Sequence, residues 1–216
     1  MDAVIFDLDG VLVDSERTWD EVRRAVVAEQ GGQWREEATR ALQGMSTPEW
    51  ARYLVTELGL PLPPEEVAEL VVNRMAQRYE QGPPVLPGAE QEVRAVGELC
   101  PVAIASSSPP VLITAFLEAT DLTGLVRVAL SSEQVAAGKP APDVYLEAAA
   151  QLGVNARSCI AVEDSTNGLR SALAAGMTVI GVPNPHFPPD PDVLAEVHTV
   201  LDDLAELPAT VRGLLS

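Results

Sequence analysis

The chain opens on an apolar run, Val4-Ile5-Phe6, that stops at two carboxylates, Asp7 and Asp9, with Gly10 behind them. From Val85 onward short apolar runs recur at 102–105, 126–130, 159–162, 179–182 and 197–200. Helical spacing fills the intervals, for example 142–152 and 165–175, and Gly176 follows the second as a helix C-terminus demands. Strands alternating with helices predict an α/β protein with a doubly wound parallel sheet. From residue 15 to about residue 80 the pattern is helical throughout. Trp19, Val22, Val26 and Val27, then Trp50, Tyr53, Leu54 and Leu58, recur at helical spacing, and a third segment, 65–79, follows Pro63-Pro64. The predicted organisation is a core of residues 1–14 and 84–216 with a helical cap, 15–83, inserted after the first strand. Its joints are Val13-Asp14-Ser15 and Gln81-Gly82-Pro83-Pro84, two crossings able to act as a hinge.

The polar residues that interrupt this pattern gather at strand ends. On a strand, positions i and i+2 point the same way, so Asp7 and Asp9 are expected to converge on one ligand. Two adjacent buried anions need a cation or a shared proton. Further on, Ser106-Ser107-Ser108 closes one apolar run, Glu163-Asp164-Ser165 closes another, and Lys139 lies in the stiff loop Gly138-Lys139-Pro140-Ala141-Pro142. Each has an ordinary reading alone: an acidic turn, a helix N-cap, a solvated lysine, an acidic first turn of a helix. In open α/β sheets, however, ligands collect beyond the C-terminal ends of the strands, which is where all of them fall.

Charge and composition narrow the function. The formal net charge is −18 over 216 residues, aromatics are 4%, and no basic stripe appears, so a nucleic-acid partner is not expected. An anionic substrate is repelled by that field, so positive charge at close range has to prevail. No stretch reaches the ~20 apolar residues that span a bilayer. The first strand begins at once, leaving no room for a signal peptide, and a cytoplasmic protein is expected. Cys100 and Cys159, beside the runs at 102–105 and 159–162, are read as thiols in or near the core with no catalytic role. His186, in the proline-rich loop 183–189, and His198 are read as structural.

In order and type, Asp-Leu-Asp-Gly, the serine-ended strand, Gly-Lys-Pro-Ala-Pro-Asp and Glu-Asp-Ser resemble the four motifs of the haloacid dehalogenase-like phosphatases. Asp-Leu-Asp-Gly-Val-Leu-Val-Asp-Ser-Glu is similar to the branch containing β-phosphoglucomutase and many small-metabolite phosphatases, and the resemblance spans essentially the whole chain. It implies Asp7 as a nucleophile forming an aspartyl-phosphate and Asp9 as general acid, then base. It implies Mg²⁺ held by Asp7, Asp164 and the Asp9 backbone carbonyl, with Glu163 acting through water. Ser106 and Ser107 are expected to bind phosphate, and Lys139 to offset the carboxylates. Aspartate at position 9 argues against dehalogenase activity.

The resemblance thins in the cap. β-Phosphoglucomutase-like members carry an arginine for the substrate's distal phosphate where Thr47 stands, in the loop 42–47, and a histidine where Trp19 stands. Threonine cannot supply a bidentate fork, so hydrolysis of a small phosphomonoester, a sugar phosphate among the candidates, is expected rather than phosphate transfer. Arg74 or Arg78 in the third cap helix keeps a sugar-phosphate mutase as the alternative, with a non-catalytic binding protein behind it. A small phosphorylated metabolite is the expected partner and a monomer or weak dimer the expected state.

Overall fold

The computed structural model describes residues 1–42, 45–184 and 188–215. Among them the strands β1 (Ala3–Phe6), β2 (Val102–Ser106), β3 (Val126–Ser131), β4 (Cys159–Glu163), β5 (Thr178–Gly181) and β6 (Thr199–Val200) form one sheet, ordered β3-β2-β1-β4-β5-β6. Every neighbouring pair is parallel. All five later apolar runs become strands. The last is the shortest, with only Thr199 and Val200 in the strand, while the backbone N–H of the exposed His198 before it also donates to Val179 O at 2.9 Å.

The inner strands β2, β1, β4 and β5 are buried on both faces, which is why they read as nearly unbroken apolar runs. Val4 and Phe6 join a cluster with Val93 and Val96 of α5 (Ala89–Gly97) and Val211 of α10 (Leu207–Leu215). Ala3 and Ile5 point the other way, against Val144 and Ala148 of α7 (Asp143–Leu152) and Leu169 and Ala172 of α8 (Thr166–Ala174). Each large apolar side chain removed from water here stabilises by about 1.5–3 kcal/mol. The remaining helix outside the 16–80 region with a full apolar face is α6 (Pro110–Ala119); α9 (Pro191–Leu194) is one turn.

Between β1 and α5 lie α1 (Glu16–Glu29), α2 (Ala38–Ala41), α3 (Thr47–Thr56) and α4 (Pro64–Glu80). They share their own apolar cluster, including Trp19, Val26, Trp50, Leu54, Val71 and Met75, joined by Leu112 of α6. α3 starts where the sequence signals it: Ser46 and Glu49 form a capping box and Pro48 stands in the first turn. α2, four residues long, carries no period for a sequence to reveal. The two strands of chain that lead in and out lie together, with Val13 bridging Val85 and Asp14 N–H donating to Pro84 O at 2.8 Å. Cys100 and Cys159 are both free, as their placement on either side of β1 requires. No helix among the described residues is long and apolar enough to cross a membrane.

Candidate active site

β1 is flanked by β2 on one side and β4 on the other, so the winding of the sheet reverses there. That reversal opens a crevice beyond the strand ends. Asp7 is one residue past β1, aligned by its N–H bond to Val162 O at 2.9 Å, and Glu163 and Asp164 end and follow β4. Their carboxylates converge: all three residues are buried, and one oxygen from each lies within 4.8 Å of the others.

Lys139 enters this cluster from its proline-flanked loop. Its Nζ donates to Asp7 Oδ1 and Glu163 Oε1, both at 2.6 Å, and to Ala105 O at 3.0 Å. Tyr145 of α7 donates its hydroxyl to the same Glu163 oxygen at 2.8 Å. Glu163 Oε2 accepts from the N–H groups of Asp164 and Ser165 and from Ser165 Oγ. Glu163 is therefore saturated by the protein, whereas Asp164 Oδ1 is buried without a partner.

The electrostatics follow from three acids against one ammonium. Burial, then Glu163, push the Asp7 carboxyl up to about 8 despite the opposing pull of Lys139. Burial, then Glu163 and Asp7, drive Asp164 well above the usual carboxylate range. Burial pulls Lys139 down, but Asp7 and Glu163 outweigh it and hold the ammonium above its ordinary value. An all-oxygen cluster short of positive charge, with one orphaned carboxylate oxygen, fits a hard divalent cation.

Asp9 reaches the same crevice by a different route from the one expected. β1 ends at Phe6, so the alternation of a strand does not extend to Asp9; a turn places it, with Gly10 at φ 85°. A side chain at Gly10 would overlap the Asp164 carboxylate as well. The Asp9 carboxylate stands outside the three-acid cluster and accepts from Ser15 Oγ, from Ser108 Oγ at 2.6 Å and from Ser106 Oγ at 3.2 Å. Ser106 is completely buried, and its Oγ also accepts from Ser108 N–H at 2.9 Å.

A cavity of about 180 Å³ opens over these groups. From the sheet side it is lined by Asp7, Asp9, Ser107, Ser108, Lys139 and Asp164, and from the helices of residues 16–56 by Glu16, Trp19, Arg23, Thr47 and Trp50, among others. Ser106 and Glu163 stand behind that lining. Thr47 is at the cavity, its Oγ1 buried and unpartnered. Arg74 is not: it forms a fork with Glu29 on the outer side of α4, with Nη1 at 2.8 Å from Oε1. Arg78 lies 3.9 Å from Glu21, also away from the cavity.

The arginine that does line the cavity, Arg23, and the serine that grips Asp9, Ser108, escaped the sequence reading. A charged residue on the apolar face of α1, four residues after Trp19, was the signal for Arg23. Gln43, Gly44, Pro185, His186 and Phe187 lie outside the described residues.

The sequence pattern of the haloacid dehalogenase-like hydrolases matches residues 1–176. Hexitol phosphatase B of Escherichia coli is 36% identical over 215 residues, covering 96% of this chain and 94% of that protein. The phosphorylated carbohydrates phosphatase of Thermotoga maritima is 29% identical over 178 residues, 82% of each chain. The crystal structure of CbbY from Rhodobacter sphaeroides in complex with phosphate superposes with a TM-score of 0.84 at 27% identity, covering 96% of both chains. Motif order, sheet winding and these likenesses agree: the chain belongs to the haloacid dehalogenase-like hydrolases.

Proposed function

We propose that this enzyme is a Mg²⁺-dependent phosphatase that hydrolyses a small organic phosphomonoester through an aspartyl-phosphate on Asp7. The observation that carries the reading is Asp7 itself, a cavity-lining carboxylate pinned between Lys139 and the orphaned Asp164. The named phosphatases among its relatives support the reaction class.

A phosphomonoester resists attack because its anionic oxygens repel a nucleophile, so the site must neutralise charge and align the reacting groups. Lys139 supplies fixed positive charge beside Asp7, and Asp7 and Asp164 would hold the metal, with the Asp9 carbonyl assisting and Glu163 behind them. The bound cation would act as a Lewis acid on the phosphoryl oxygens. Ser107 and Ser108, on the cavity wall, are placed to receive phosphate oxygens, with Ser106 bracing the loop beneath. Asp9, held in place by three serine hydroxyls, donates a proton to the leaving alkoxide and then takes one from water. Residues 15–83 act as a cap over a core of 1–14 and 84–216, excluding water from the reaction.

A mutase has to hold a bisphosphate at both ends. Thr47 offers a single hydroxyl at that place, and Arg74 is engaged with Glu29. Phosphate release from a panel of small phosphate esters, with Mg²⁺ and with EDTA, tests the reading. Metal-dependent release supports it; no release from any ester, with isomerisation of β-glucose 1-phosphate instead, would replace it by the mutase.

A further inference from the structure

The phosphate chemistry leaves one buried cation of the cavity unused. Arg23 is only 7% exposed, and its guanidinium lies 4.8 Å from the centroid of the Trp19 ring and 5.2 Å from that of Trp50. The two indoles are tilted by 54° to each other with centroids 6.1 Å apart. Among the described residues no hydrogen bond reaches Arg23 and its Nε is buried without a partner, although the charges of Glu16, Asp20 and Asp9 attract it. Buried charge is ordinarily paired. The ring faces offset part of the desolvation and hold the guanidinium plane, but they accept none of its hydrogen bonds in full. An acceptor is missing, and the cavity is where it would enter.

The surroundings define that acceptor. Glu16 lines the same cavity and offers oxygens that accept. Thr47 adds an unpartnered hydroxyl, and Trp19 and Trp50 add apolar walls. A second anion would satisfy Arg23 but meet Glu16 and Asp9 in a chain of net charge −18. A hydroxyl both donates and accepts, so a row of hydroxyls suits an arginine and a glutamate together, with its C–H groups against the indoles.

We propose that Arg23, clamped between Trp19 and Trp50, is a specificity-determining residue that donates to the hydroxyl oxygens of an uncharged polyhydroxyl group at the end of the substrate remote from the phosphate. The proposal rests on the phosphatase reading of the same cavity.

The test compares kcat/KM for glucitol 6-phosphate and for phenyl phosphate, which has no hydroxyls, in wild type, Arg23→Met and Arg23→Lys. A lost hydrogen bond to a charged donor predicts a fall of about tenfold or more in the glucitol-to-phenyl ratio for Arg23→Met, carried by KM, with Arg23→Lys between the two. Indole fluorescence in EDTA, titrated with glucitol 6-phosphate, reads binding without turnover. Hydrolysis with an unchanged ratio in folded variants overturns the role of Arg23 and leaves the phosphatase intact. Arg23-dependent binding without hydrolysis does the reverse. An Arg23-dependent preference for 6-phosphogluconate, whose far end is a carboxylate, also overturns the assignment.

Discussion

Lys139 Nζ sits 2.6 Å from Asp7 Oδ1 and 2.6 Å from Glu163 Oε1, so one ammonium ties the end of β1 to the end of β4. Its side chain is 4% exposed. Removing one partner of a buried ion pair leaves the others charged and undersatisfied. Lys139→Met is therefore expected to lose about 3–5 kcal/mol of stability, measured by denaturant unfolding, together with nearly all phosphate release.

Gly168 lies in the first turn of α8, against the carboxylate of Glu163, where an added Cβ would overlap the side chain. Alanine is the better helix former by about 1 kcal/mol, so propensity alone favours the substitution. Overpacking against a buried, fully bonded carboxylate reverses the sign, and Gly168→Ala is expected to destabilise by about 1–3 kcal/mol. Gly213→Ala in α10, where an added Cβ would point into open space, serves as the control and is expected to be neutral or slightly stabilising in the same unfolding experiment.

A cation that binds the folded acid cluster stabilises it by mass action. At a Mg²⁺ concentration a hundredfold above Kd the gain is about 2.7 kcal/mol, read as a rise in melting temperature over the EDTA-treated protein. Asp164→Asn removes one charge of the cluster and is expected to abolish most of that rise. An equal rise in the variant would place the metal elsewhere.

The metal-free protein should carry a pH signature. The Asp7 carboxyl is raised from 3.8 in the unfolded chain to about 8 in the fold, by burial first and the Glu163 charge second. Between those values the folded state holds a proton that the unfolded state has released, so stability falls as pH rises through that window. Unfolding midpoints in EDTA from pH 4 to pH 9 are expected to decline across it, as an order-of-magnitude trend. A rise over the same range would contradict the burial of Asp7 as a proton-binding carboxyl.

The parallel sheet was legible because a strand buried on both faces is written as an apolar run, and β1, β2 and β4 end at the residues that carry polar chemistry. The meeting of Asp7 with Asp164 was legible for the same reason, since neighbouring strand ends converge, and Lys139 joins them from its proline-flanked loop. Asp9 reached the site although the argument used for it did not hold, since strand alternation stops at Phe6 and the turn at Gly10 takes over. Arg74 and Arg23 show where sequence runs out. Both are arginines on helices, and only the packing of α1 and α3 on α4 decides that Arg23 faces the cavity between two indoles while Arg74 faces Glu29.

The most direct test is a paired measurement on wild type and Asp7→Asn with an ester that the wild type turns over. Phosphate release in Mg²⁺ and in EDTA is followed, and acid-quenched samples are searched by mass spectrometry for a phosphoryl group on the peptide containing Asp7. The account predicts release that requires Mg²⁺, a phosphoryl adduct on Asp7, and a loss of about 10³-fold or more in Asp7→Asn, in keeping with removal of a nucleophile. Full activity in Asp7→Asn, with no adduct in the wild type, would contradict it.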